Sequence, residues 1–134
     1  LCPDRTKTKQ TTESKENDDM EERKILDEEE LMQEYDNDID VLRRMAEIFE
    51  RDCKGRLAKL REAIPAGNAK VVKEEAHALK GGVGAFYASA VYDTAFKLET
   101  MGAEGNLSEA ERTFTALERQ LQALRQKLDE LLAS

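Results

Sequence analysis

Four stretches of this sequence set apolar side chains three or four positions apart, and short polar turns separate them. Ile39, Leu42, Ala46, Phe49, Cys53, Leu57, Leu60 and Ile64 make the first stripe. Ala69, Val72, Ala76, Leu79, Val83 and Phe86 make the second. Val91, Ala95 and Leu98 make the third, with Tyr92 and Phe96 beside them, and the run from Ala110 through Phe114, Leu117, Leu121, Leu124 and Leu128 to Leu131 makes the fourth. An α-helix turns once every 3.6 residues, so each stripe is one face to be buried. Short connections force neighbouring helices to run antiparallel. The expected fold is therefore all-α: an antiparallel up-down four-helix bundle with a short extra N-terminal helix. Composition agrees, with charged residues at 37% and aromatics at only 5%, a balance that favours helices over a sandwich or barrel.

Start and stop signals place the boundaries. Asp27 with Glu30 resembles a capping box and opens the short helix through Leu31, Met32 and Tyr35. The Asp36-Asn37-Asp38 cluster breaks the chain and recaps it, Pro65-Ala66-Gly67 stops the long helix, and Asn68 caps the next. The segment from Gly102 to Asn106 reads as a turn, and Ser108 with Glu111 as a second capping box. Residues 1–24 carry almost no apolar side chains, too few to offset the entropy of ordering them. They read as a disordered linker or tail, and residues 25–134 as the bundle. The chain opens on Leu1 rather than Met, which suggests a module of a longer protein.

Charge and cysteine usage narrow the function classes. A net charge of -8 disfavours nucleic acid, which needs a basic footprint, and anionic membrane surfaces. Cys2 and Cys53 are far apart and form no CxxC or Cys/His cluster, so neither a zinc site nor a disulfide framework is expected. A reducing, cytoplasmic compartment is the expectation, although a parent protein could be membrane-anchored.

The one histidine, His77, lies in Ala76-His77-Ala78-Leu79-Lys80-Gly81-Gly82-Val83-Gly84. It sits off the apolar stripe. At about 100° per residue, Lys73, His77, Lys80 and Gly84 share a flank of that helix, with Gly81 slightly further round. An imidazole, an ammonium and a patch without side-chain bulk thus meet at one place. Three glycines within four positions each cost up to about 1 kcal/mol in a helix interior, a defect that close approach of another molecule would explain. Taken singly, the His is an ordinary boundary residue, Lys80 a solvated charge, and Cys53 a small core residue.

Taken together, Ala76 to Glu99 resembles the histidine-containing phosphotransfer (HPt) domain of two-component relays. The resemblance rests on the His-x-Leu-Lys-Gly core at His77, Leu79, Lys80 and Gly81, on Gly84, and on Leu98-Glu99 downstream. Ile25-Leu26-Asp27, Phe49 and the Leu57, Leu60, Ile64, Gly67-Asn68 pattern match as well, so it spans roughly residues 25 to 132. It implies that His77 accepts a phosphoryl group from a receiver-domain aspartate and passes it to another receiver. Glu99 would orient the imidazole, Lys80 would offset phosphoryl charge, and Gly81, Gly84 and Lys73 would meet the docking partner. No cofactor and no metal are expected in this domain, since the receiver would supply Mg²⁺. The module is expected to be a monomer and a relay intermediate rather than an autonomous enzyme; its run from Lys80 to Phe86 resembles the phosphotransfer domain of chemotaxis kinases, whereas its upstream helices look more like domains appended to hybrid sensor kinases, the favoured parent. Two alternatives stand beside this reading: a chemotaxis-kinase-type domain phosphorylated directly by an ATP-binding kinase domain, and a helical adaptor with no phosphoryl chemistry. The family usually has Gly where this chain has Tyr87, so the bend at the end of the His helix is open.

Overall fold

The structure, a computed structural model, describes residues 25–133. The tail assigned to residues 1–24 lies outside them. Five helices follow in order: α1 (Glu28–Glu34), α2 (Ile39–Ala66), α3 (Ala69–Gly84), α4 (Ser89–Glu104) and α5 (Ala110–Leu132). Among the described residues there is no strand, and no helix is long and apolar enough to cross a membrane.

Caps set most of the boundaries. Asp27, Asp38 and Asn68 each accept a backbone N–H three residues on, from Glu30, Val41 and Val71, which satisfies one of the donors a helix start leaves open. Asp27 departs from a full capping box. Its own N–H donates to the Tyr87 carbonyl at 3.3 Å, which pins α1 to the end of α3. The Tyr35 hydroxyl adds a second tie, donating to the Ala85 carbonyl at 3.3 Å.

Two expected boundaries move, and a third falls inside its stop signal. Helix α2 runs through Pro65 to Ala66 and ends at Gly67, whose φ of 72° is left-handed. Proline's fixed φ is helical and it removes one backbone hydrogen bond, and here it lies in the last turn, two residues before the Gly67 cap. Helix α4 likewise continues past Gly102 to Glu104 and ends at left-handed Gly105, φ 71°. Ser108 is not a cap: its N–H and hydroxyl both donate to the Asn106 side chain, at 3.2 and 2.9 Å, and α5 starts two residues later at Ala110. An Asn side chain bonding two residues on makes a turn of its own, and here it outcompetes the box.

The stripes pack as their spacing dictates. Leu42, Leu60, Val72, Leu79, Val83, Val91, Leu98, Leu117 and Leu124 are fully buried, and Phe86 nearly so. Contacts between helices fix their directions. Phe49 lies against Gly82 and Arg56 bonds Glu75, so α2 and α3 are antiparallel. Gly84 lies beside Tyr92 and Gly102 against Lys73 and Ala69, so α3 and α4 are antiparallel. Arg43, Glu50 and Arg61 on α2 meet Leu132, Arg125 and Glu118 on α5, at 2.7, 3.3 and 2.7 Å. These directions make an up-down-up-down bundle, with α1 lying across the end of α3.

Candidate functional site

The middle of α3 and the facing stripe of α4 build the site. His77 and Lys80 lie three residues apart on α3, and Tyr92, Phe96 and Glu99 lie at i, i+4 and i+7 on α4. Such offsets put each set on one helix face. The two faces meet because α3 and α4 approach closely lower down. A Cβ on Gly102 would sit 2.6 Å from the Lys73 backbone nitrogen and 2.8 Å from the Ala69 carbonyl oxygen. Only a residue without a side chain allows that spacing, and it brings Glu99, one turn away, within reach of His77.

Glu99 joins the two α3 residues. Its Oε2 is 3.0 Å from His77 Nδ1, and its Oε1 is 2.8 Å from Lys80 Nζ. The second contact is an ion pair rather than an aligned hydrogen bond. Glu99 and Lys80 are largely covered, at 15% and 17% side-chain exposure, whereas His77 is 67% exposed. The Lys80 ammonium, and after it the His77 ring, hold the Glu99 carboxyl below the usual range even though partial burial opposes them. Glu99 in return pushes the Lys80 ammonium's pKa up. An ionised carboxylate only accepts hydrogen bonds, so Nδ1 carries the ring proton and donates it to Oε2. In the neutral ring Nε2 then keeps its lone pair, and it has no hydrogen-bond partner among the described residues.

The structure thus brings together His77, Lys80 and Glu99. Lys73 is exposed on α3 one turn before His77. The glycines divide. Nothing lies within 4 Å of a Cβ on Gly81, which is open surface, while a Cβ on Gly84 would lie 3.6 Å from the Tyr92 ring. Gly82 has an internal reason: a Cβ there would come within 2.9 Å of the Phe49 ring. Tyr87 adopts φ 57°, so the bend at the end of α3 keeps the left-handed backbone that a glycine adopts freely, and a tyrosine bears the strain.

Spacing alone missed two features. Tyr92 and Phe96 do not turn into the core; they are 39% and 51% exposed, and the Lys80 ammonium lies 5.8 Å from the Tyr92 ring centroid and 4.7 Å from that of Phe96. Their i, i+4, i+7 relation to Glu99 was the available signal. Glu75 is a buried acid, bonded to Arg56 at 2.9 Å and near Lys59 at 3.9 Å. It locks α3 to α2 on the far side from α4. Among the described residues, no group of three or more His, Cys, Asp or Glu side chains could hold a metal ion.

Comparison with known proteins gives this geometry its context. The family model described as the Hpt domain matches residues 44–127, which include His77, Lys80 and Glu99. Among solved structures, the chain is similar to histidine-containing phosphotransfer protein B (HptB) from Pseudomonas aeruginosa PAO1. The similarity has 25% identity and a TM-score of 0.74, and covers 81% of this chain and 94% of that one. No curated protein matches the chain. A bundle with one surface histidine bonded to a carboxylate, matched by that family over most of its length, belongs to the Hpt domain family, the phosphotransfer modules that work with receiver domains in two-component phosphorelays.

Proposed function

We propose that His77 is the phosphoacceptor, exchanging a phosphoryl group between aspartates on two receiver domains. The observation that carries this is the exposed imidazole whose Nδ1 is committed to Glu99 while Nε2 has no partner among the described residues. Nε2 attacks the phosphorus of a receiver's aspartyl phosphate. The N–P bond forms, the P–O bond breaks, and the electron pair leaves with the aspartate carboxylate. The ring proton stays at Nδ1, where Glu99 offsets the positive charge the ring acquires. A second receiver's aspartate reverses the sequence. Lys80 stands one turn beyond His77 and supplies a cation for the phosphoryl oxygens, a requirement of all phosphoryl transfer.

Gly81 and Gly84, with Lys73 beside them, form the face a receiver closes on. That receiver brings its own Mg²⁺ and acidic pocket, so this chain contributes no metal ligand. The bundle satisfies its own stripes and works as a cytoplasmic monomer. A kinase domain belongs further upstream in the relay, most simply in the same parent chain.

The test is transfer from a panel of radiolabelled phospho-receivers with Mg²⁺, beside His77→Gln. Label on the wild type only, lost in acid and stable in alkali, is the expected result. Label that persists in His77→Gln would sink the assignment. A chain labelled by ATP and a kinase domain but by no receiver would place it with directly phosphorylated chemotaxis-type domains.

A further inference from the structure

Phe96 is half in water. Burying a phenylalanine is favourable and exposing one is not, and Phe96 contributes nothing to the described core at 51% exposure. What it touches is Lys80, whose ammonium lies 4.7 Å from its centroid. Tyr92 flanks the same ammonium at 5.8 Å, and its ring lies against Gly84, where the missing side chain makes room. A lysine ordinarily keeps its head in water, yet Lys80 is only 17% exposed. Its head has partners of two kinds: the Glu99 carboxylate at 2.8 Å and the two ring faces.

The two kinds differ in what they do when a phosphoryl group arrives at Nε2 of His77. The carboxylate competes with the phosphoryl oxygens for the ammonium. A ring face attracts the cation without offering a hydrogen-bond acceptor, so the three N–H donors stay available. It also confines a four-carbon stem that would otherwise sweep through many rotamers once its hold on Glu99 loosens. We propose that Phe96, backed by Tyr92, is a positioning residue for the transfer: its ring face holds the Lys80 ammonium beside His77 while that ammonium passes between Glu99 and the phosphoryl oxygens. This inference rests on the reading of His77 and Lys80 given above.

A small phosphoryl donor separates positioning from docking. Phosphoramidate needs no docking surface: Nε2 attacks its phosphorus, the N–P bond to His77 forms, and ammonia leaves. The rates of phosphohistidine formation would be measured for the full chain, Phe96→Leu, Phe96→Trp, Lys80→Ala and the Phe96→Leu/Lys80→Ala double variant. Phe96→Leu should slow the reaction roughly 3- to 10-fold, the size of a partly exposed cation–π contact, with its melting temperature unchanged within a few degrees. Phe96→Trp should restore the rate. In the Lys80→Ala background, Phe96→Leu should have no further effect, because the residue it positions is gone. The upfield NMR shift of the Lys80 ε-methylene protons, a ring-current effect, should disappear in Phe96→Leu.

An equal slowing with and without Lys80 overturns the inference, as does no slowing at all. Slowing with phospho-receivers but not with phosphoramidate also overturns it and assigns Phe96 to the docking face. A Lys80→Ala rate equal to wild type, or label that survives in His77→Gln, is a failure of the underlying reading instead, and both are visible without touching Phe96.

Discussion

Glu99 is the residue on which the site turns, because one carboxylate holds both the His77 ring and the Lys80 ammonium. Its pKa in the fold lies below the ordinary 4.5 and that of Lys80 above the ordinary 10.5, each because of the other. A carboxylate with a depressed pKa stabilises the fold fully above its unfolded value and loses that contribution as pH falls through the folded value. A lysine with a raised pKa stabilises fully below its unfolded value and loses it as pH rises through the folded one. The pair is therefore at full strength between about pH 4.5 and 10.5. Glu99→Gln should lower the melting temperature within that window, and the gap to wild type should narrow as pH drops below 4.5. Thermal melts over a pH series check this; a gap that stays open in acid would mean the ion pair contributes nothing in solution. At this scale the sequence was informative about which side chains meet: helical offset put His77 and Lys80 on one flank, and the family resemblance added Glu99, which contacts both. It was uninformative where direction decides. Tyr92 and Phe96 sit one position from the Val91 and Ala95 core stripe, and which way such boundary side chains turn is settled by the facing helix, where the Lys80 ammonium meets both rings. Tyr87 is a further case, since its left-handed backbone is fixed by the α3–α4 turn and by the Asp27 bond to its carbonyl, neither of which its side chain announces.

Among the elements, the glycines of α3 and α4 look alike in sequence and do different things. Gly102 is a packing glycine whose Cβ would strike the backbone of Lys73. Gly81 is a surface glycine with nothing within 4 Å. Gly102→Ala should destabilise the fold by about 1–3 kcal/mol, because backbone cannot step aside as a side chain does. Gly81→Ala should stabilise it by about 0.5–1 kcal/mol through helix propensity alone. If a partner approaches at Gly81, that same stabilised variant should accept phosphoryl groups from receivers more slowly and from phosphoramidate at the wild-type rate. Denaturant unfolding and the two labelling assays read these effects; transfer from receivers undiminished in Gly81→Ala would remove it from the docking face. Helix starts were legible wherever a side-chain cap made them, at Asp27, Asp38 and Asn68. A start was misread where two local signals competed, as at Ser108, and an end where a glycine looked like a stop and was a contact, as at Gly102. Both outcomes depend on a neighbouring helix or turn, which local sequence does not carry.

Across the whole molecule the division of labour follows the seams. The α3–α4 seam carries His77, Lys80 and Glu99 and is held by backbone proximity at Gly102. The α2–α5 seam lies away from it and is clasped at its rim by Arg43, Arg61 and Arg125. Between those clasps runs a groove of about 320 Å³ lined by Phe49, Cys53, Leu57, Leu121 and Leu128. Cys53 reports whether that seam is closed. Burial first, and the Asp52 carboxylate after it, push its thiol up to about 11. At pH 8 the thiolate fraction is then on the order of one in a thousand, and the thiolate is the reactive form. In a Cys2→Ser chain, where Cys53 is the remaining thiol, alkylation by iodoacetamide at pH 8 should be at least about 100-fold slower in the folded protein than in the urea-unfolded chain. The residual rate should rise with urea along the same curve as the loss of helical circular dichroism, since exposing Cys53 requires α2 and α5 to part and the core stripe between them to open. Alkylation that is fast in native buffer while the helical signal is intact would mean that the α2–α5 seam opens on its own. The bundle would then be a stable α3–α4 pair carrying a loosely held α2–α5 pair, and the phosphotransfer face would survive with its far side open.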